Sequence, residues 1–157
     1  VRLLDTRKTT PGLRWPEKYA VQAGGGHNHR KNLTEMLMLK DNHIDAAGSI
    51  TAAVATLRAC YTPCPPIEVE CRTLDHVREA IEARADRIMM DNMNGQRLSQ
   101  ALALVPASIE TEVSGGVRLD TIRALALTEP RRPDFISVGR LTHSAVSADF
   151  SMTLLAV

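Results

Sequence analysis

Seven short clusters in this chain carry residue types that can hold or transform an anionic ligand. Asp5-Thr6-Arg7-Lys8-Thr9-Thr10-Pro11-Gly12 places two adjacent cations ahead of a Pro-Gly turn. Gly24-Gly25-Gly26-His27-Asn28-His29-Arg30 follows a run of three glycines, which lets a backbone approach a ligand closely, with polar and cationic side chains. Lys40 ends the apolar run Met36 to Lys40, where a charged group needs a partner. Glu68-Val69-Glu70 and Met90-Asp91-Asn92 end two further runs in carboxylates, which suit Mg²⁺ or sugar hydroxyls. Strand alternation puts Glu68 and Glu70 on one face, one deeper than the other. Ser114-Gly115-Gly116 and Ser137-Val138-Gly139-Arg140-Leu141-Thr142-His143 have the composition of a phosphate cradle built from backbone N–H groups. Each cluster has a plainer reading: solvated Arg-Lys pairs, surface acids or helix N-caps, and, for His143, a packing residue.

The elements that must position these clusters alternate from end to end. Apolar runs at Val1 to Thr6, Met36 to Lys40, Ile67 to Cys71, Arg87 to Asp91, Ile109 to Ser114 and Phe135 to Gly139 read as strands. Helical periodicity lies between them: from Pro16-Glu17 to the glycine run, over Ser49 to Ala59, after a Thr73 cap, over Gln96 to Leu104 and over Leu119 to Leu127. Strand ends recur at intervals of roughly 20–30 residues, the period of a βα unit with parallel strands. A doubly wound open sheet and a barrel both fit that period. Polar groups at nearly every strand's carboxyl end favour the barrel, which gathers those ends around one mouth. With six visible strands, an incomplete α/β barrel is expected, as one catalytic domain spanning residues 1–157 of a longer chain.

Composition narrows the function. The chain has 157 residues, 44% of them hydrophobic and 24% charged, enough for a packed core. No apolar run reaches the roughly 20 residues of a membrane span. A net charge of +1 and five aromatic residues argue against nucleic-acid binding, and leave room for a local cationic patch for a small anion. Cys60, Cys64 and Cys71 make no disulfide framework or zinc spacing, which points to reduced thiols and a cytoplasmic setting.

Taken in order, Asp-Thr-Arg-Lys-Thr-Thr-Pro-Gly-Leu-Arg, Glu-Lys-Tyr-Ala-Val, Gly-Gly-Gly-x-Asn-His-Arg, Lys-Asp-Asn-His-Ile, Glu-Val-Glu, Met-Asp-Asn-Met, Ser-Gly-Gly and Ser-Val-Gly-x-Leu-Thr-His-Ser cover essentially the whole chain. In these motifs the chain closely resembles the quinolinate phosphoribosyltransferase family of NAD biosynthesis. The resemblance implies the α/β barrel of a type II phosphoribosyltransferase, which in the family follows an N-terminal sandwich domain. It implies transfer of phosphoribosyl from phosphoribosyl pyrophosphate to quinolinate with loss of CO₂, using Mg²⁺. Arg7, His29, Arg30 and Lys40 are the implied quinolinate contacts, with Lys8 nearer the pyrophosphate. Glu70 and Asp91 are the implied ribose and Mg²⁺ residues, and Ser114, Gly115, Gly116, Gly139 and His143 the implied 5′-phosphate cradle. Lys8, Lys40, Glu70 and Asp91 thereby become the catalytic set. A homo-oligomer, at least a dimer, is implied, in which a neighbouring subunit's N-terminal domain completes the site, so the isolated chain should turn over weakly or not at all. Asn32 stands where the family commonly has Gly, Glu35 where Asp is usual, and Trp15-Pro16 and Cys71-Arg72 are uncommon fillings. The competing expectations are a nicotinate phosphoribosyltransferase and a non-catalytic phosphate-binding barrel.

Overall fold

The computed structural model describes residues 1–144 and 146–155 of the chain. Six strands form one parallel sheet: β1 (Arg2–Leu4), β2 (Leu37–Leu39), β3 (Ile67–Cys71), β4 (Arg87–Asp91), β5 (Glu110–Ser114) and β6 (Phe135–Ser137). Their order is β1-β6-β5-β4-β3-β2. From β2 to β6 each strand lies beside its predecessor without reversal, and β1 then pairs with β6. A doubly wound sheet reverses direction at a switch point, so this order is that of a barrel. The barrel is open along one seam, because β1 and β2 do not pair. At the β1 edge of that seam His27 forms a parallel bridge with Leu4, so the segment after the glycine run partly extends the sheet.

Sequence and structure agree on the strands to within one or two residues at each end. Helices α1 (Arg14–Ala23), α3 (Ile50–Cys60), α4 (Leu74–Glu82), α5 (Gly95–Leu104) and α6 (Ile122–Ala126) occupy the periodic segments. Ser49 and Thr73 cap α3 and α4 by accepting the Ala52 and His76 N–H groups, each at 3.0 Å. Helix α1 starts two residues earlier than expected, which leaves Pro16 in the first turn, where its missing N–H costs nothing. Two helices had no clear periodic signal: α2 (Asp41–Ala47), directly after Lys40, and α7 (Arg140–His143), directly after Gly139.

Strand alternation divides the side chains into two sets. Ile67, Val69, Cys71, Ile88, Met90, Val113, Ile136 and Val138 join the apolar core shared with the helices. The opposite face carries Lys40, Glu68, Glu70, Arg87, Asp91, Glu112, Ser114 and Ser137 with only Met38, Met89 and Phe135 among them, so the barrel interior is largely polar where barrels more often pack branched aliphatics. No helix among the described residues is long and apolar enough to cross a membrane. Cys60, Cys64 and Cys71 are all unpaired.

Candidate active site

Two adjoining cavities open at the carboxyl ends of the strands. The inner one, about 210 Å³, is lined by Arg7, Lys8, His29, Arg30, Lys40, Glu70, Asp91, Glu112 and Ser137 among others. The outer one, about 640 Å³, shares Lys8, Lys40, Glu70, Asp91, Ser114 and Ser137 and adds Arg72, Gly115, Gly116, Gly139 and His143. All twelve residues singled out from the sequence therefore surround one continuous mouth, cationic inside and glycine-rich outside.

The cationic end is built by a buried network that the sequence analysis did not single out. Lys18, on α1 and only 1% exposed, reaches Asp5 Oδ1 at 2.6 Å and donates to the His29 carbonyl at 3.0 Å. Asp5 also accepts the His29 N–H (2.8 Å) and the Asn28 side chain (2.7 Å). The loop after the glycine run is thus tied to the end of β1. Lysine defaults to the surface in a sequence reading; the available signal was its spacing three residues before Val21, which puts both on the buried face of α1. Truncating one partner of a buried ion pair leaves the other unpaired, at about 3–5 kcal/mol. Lys18→Ala should lower the denaturant midpoint by that much stability, and a loss under 1 kcal/mol would show the pair to be incidental.

The Arg7 and Arg30 guanidinium groups pair with no carboxylate among the described residues. Arg30 donates to the Met36 carbonyl at 2.9 Å, and its pKa is lowered by burial and by the nearby charge of Arg7, against the pull of Glu68. Arg7 Nε is buried with no hydrogen-bond partner among the described residues. Lys40 is turned toward the mouth at the start of α2, where its N–H donates to His43 Nδ1 at 3.0 Å, and its ammonium pairs with Glu70. Arg72 bridges the acids, 2.9 Å from Asp41, 3.5 Å from Glu70 and 3.7 Å from Asp91. At Asn32 the side chain accepts from the Thr34 N–H at 2.9 Å and from the Thr34 hydroxyl at 2.7 Å, closing a local turn in which Asn32 itself needs no positive φ.

At the glycine-rich end, Gly115 has φ +96° and Gly116 φ +59°. A Cβ on Gly115 would stand 2.3 Å from Asn92 Oδ1, and one on Gly139 would stand 2.4 Å from His143 Nε2. The N–H groups of Gly115, Gly116 and Gly139 have no protein acceptor among the described residues. Thr142 ties the two ends together by donating to the Lys8 carbonyl at 2.7 Å.

Beneath the mouth lies a charged floor. His29 Nε2 sits 3.0 Å from Glu68 Oε2 and 3.4 Å from Glu112 Oε2, and its Nδ1 accepts the Arg30 N–H at 2.7 Å. Glu68 is fully buried and Glu70 7% exposed, so of the two acids on this face Glu68 lies deeper. Burial lowers the His29 pKa, but contact with Glu112 and Glu68 outweighs it and raises the value to about 9. Burial and the Glu112 charge push Glu68 up to about 7. Against its own burial, Glu112 is held below the ordinary range by His29, Ser137 and Arg87. The cluster holds its protons jointly: one on Nε2, and a second on Glu68 or, at the expense of the Arg30 contact, on Nδ1.

Both raised groups have the same sign. Their stabilisation is complete below the unfolded values of 4.5 and 6.5 and is lost as pH rises through about 7 and about 9. The melting temperature should therefore fall between pH 6 and pH 9.5, and His29→Gln should flatten that slope. An unchanged slope in the variant would locate the titration elsewhere.

A parallel α/β barrel whose mouth joins clustered cations, paired acids and unpaired glycine N–H groups has the chemistry of an anion site, and its sequence assigns it to a class. Residues 1–153 match the family described as quinolinate phosphoribosyl transferase, C-terminal domain, and the chain belongs to that family. It is 49% identical over 152 residues to a probable carboxylating nicotinate-nucleotide pyrophosphorylase of Bacillus subtilis, covering 97% of this chain and 52% of that protein. Identity to the rat nicotinate-nucleotide pyrophosphorylase is 42% over 154 residues, 96% of this chain and 50% of the relative. The crystal structure of NadC from Streptococcus pyogenes superposes with a TM-score of 0.87 at 46% identity, over 98% of this chain and 53% of that one. The chain spans about half the length of the relatives it matches.

Proposed function

We propose that this chain forms the catalytic barrel of a quinolinate phosphoribosyltransferase, joining quinolinate to phosphoribosyl pyrophosphate to give nicotinate mononucleotide, pyrophosphate and CO₂. The observation that carries the reading is the pair Arg7 and Arg30: like charges in a half-buried mouth, one with a buried Nε lacking a partner. Such an arrangement is satisfied by an anion, and a planar dicarboxylate offers two acceptor groups of the geometry that guanidinium forks match.

The barrel's residues divide the work. Arg7, Arg30 and Lys40 hold the carboxylates and aim the pyridine nitrogen at the ribose carbon; positioning of this kind supplies much of the rate. Departure of pyrophosphate beside Lys8 leaves an oxocarbenium-like centre, which the charges of Glu70 and Asp91 stabilise. Attack by nitrogen gives a pyridinium; the bond to the adjacent carboxylate then breaks to release CO₂, its electron pair staying on the ring carbon beside the cationic nitrogen until that carbon takes a proton from water. Ser114, Gly115, Gly116, Gly139 and His143 retain the 5′-phosphate.

Glu70 and Asp91 fit a Mg²⁺ ion shared with substrate phosphates: both line the outer cavity, and Asp91 Oδ1 has no protein hydrogen bond among the described residues. When bound, the ion would neutralise charge on the departing pyrophosphate. A cytoplasmic homodimer is part of the same reading, supported by the unpaired thiols and by Trp15 and Tyr19, large apolar side chains exposed on α1. Relatives in rice and Arabidopsis are described as chloroplastic.

The test is turnover of quinolinate and phosphoribosyl pyrophosphate with Mg²⁺, with a relative's N-terminal half supplied in trans. Formation of nicotinate mononucleotide with equimolar CO₂ is expected. Quinolinate that binds but never turns over under any pairing would leave a binding module.

A further inference from the structure

Below the mouth, the barrel encloses charge that none of the proposed substrate contacts uses. Glu68 of β3 is fully buried, and neither of its carboxylate oxygens has an aligned hydrogen-bond donor among the described residues. Glu112 of β5, equally buried, accepts the Ser137 hydroxyl on one oxygen and Arg87 Nη1 at 3.3 Å on the other. A buried carboxylate costs several kcal/mol, and an apolar pair of similar volume would be at least as stable. Stability therefore does not account for two of them.

What both carboxylates approach is one atom, His29 Nε2. The ring's other nitrogen accepts the Arg30 N–H, and the His29 backbone is pinned on both sides, its N–H on Asp5 and its carbonyl on Lys18. Neither ring nitrogen is offered to the mouth, although the ring lines it, so the direct quinolinate contact that the resemblance implied for His29 is not what its geometry supports. His29 is thus a strut between the barrel floor and the backbone of Arg30.

We propose that Glu68 and Glu112 are positioning residues for recognition of the dicarboxylate: they clamp the His29 ring from below, and the ring in turn fixes Arg30 in the mouth. This rests on the proposed quinolinate reading. The charged groups facing His29 are Glu68 on β3, Arg87 on β4, Glu112 on β5, Asp5 after β1, Lys18 on α1, and Arg7 and Arg30 in the loops. Of these, the two glutamates contact Nε2.

The test uses Glu68→Gln and Glu112→Gln in this chain, with calorimetric titration of quinolinate and, separately, of ribose 5-phosphate as a probe of the distant glycine-rich end. Each variant should weaken quinolinate roughly fivefold to tenfold and change ribose 5-phosphate by less than about twofold. The Nε2–H tautomer of His29 that the glutamates hold, followed by ¹⁵N NMR, should give way to a mixture of tautomers, and the titration midpoint of the ring should fall. Glu112→Gln disturbs Ser137 and Arg87 and can unfold the chain; Glu68→Gln removes no aligned hydrogen bond and keeps the test open. Equal weakening of both ligands with an unmoved midpoint would reduce the clamp to general structure and overturn the proposal. A stoichiometric metal ion in the purified chain would also overturn it, because His29, Glu68 and Glu112 offer donor atoms within 4.8 Å of one another. If the parent chain binds ribose 5-phosphate but no quinolinate, the dicarboxylate reading fails, and the His29 midpoint, which needs no ligand, still decides the clamp.

Discussion

Arg30→Ala is expected to weaken quinolinate binding about tenfold to a hundredfold while leaving ribose 5-phosphate within about twofold. The range follows from losing one charge-assisted contact worth about 1.5–3 kcal/mol. The guanidinium is held by the Met36 carbonyl on one side and stands near Arg7, so nothing else in the inner cavity replaces it. Arg30→Lys should recover little, because a point charge cannot make two parallel contacts to a carboxylate. Lys40 differs: its ammonium is paired with Glu70, and Lys40→Ala should also release that carboxylate and so affect both ligands. Calorimetry on the three variants separates these outcomes. Equal losses for both ligands in Arg30→Ala would place Arg30 outside the dicarboxylate subsite.

Gly115→Val should reduce ribose 5-phosphate binding by more than tenfold, for two independent reasons. Its φ of +96° is closed to a β-branched residue, a strain on the order of 1–3 kcal/mol. The new Cβ would also stand 2.3 Å from Asn92 Oδ1, forcing Asn92, itself at φ 54°, away from its place beside Asp91. Gly116 provides the comparison, since at φ +59° it has nothing within 4 Å of an added Cβ. Gly116→Ala should bear strain without the clash and fall between parent and Gly115→Val. Should Gly115→Val bind ribose 5-phosphate like the parent, the phosphate lies elsewhere.

Much of this architecture is legible in the sequence because the period of 20–30 residues and the polar strand ends are local patterns. Strands β3 and β4 have the expected limits, Ile67–Cys71 and Arg87–Asp91. Helix α2 was hidden because Asp41-Asn42-His43 are weak helix formers that read as a loop cluster; its start depends on the His43 ring accepting the Lys40 N–H. The open seam between β1 and β2 depends on pairing, which periodicity does not encode. The mouth residues were found because cations, acids and glycines cluster in sequence as well as in space. The pairing of Lys18 with Asp5 and of Glu112 with Ser137 was not, because each partner lies on a separate element and gains meaning from neighbours far along the chain. Glu68 shows the boundary: alternation put it on one face with Glu70, but nothing local said which of the two lies deeper or gave His29 as the group above it.

The central claim is a mouth built for two carboxylates, and calorimetric titration of the chain with quinolinate and with nicotinate under identical conditions tests it most directly. The two ligands differ by the carboxylate that leaves as CO₂. Arg7 and Arg30 together predict tighter binding of quinolinate by at least about tenfold, the worth of one additional charged contact. Equal affinity for nicotinate would contradict the account, and would transfer the site to a single-carboxylate substrate.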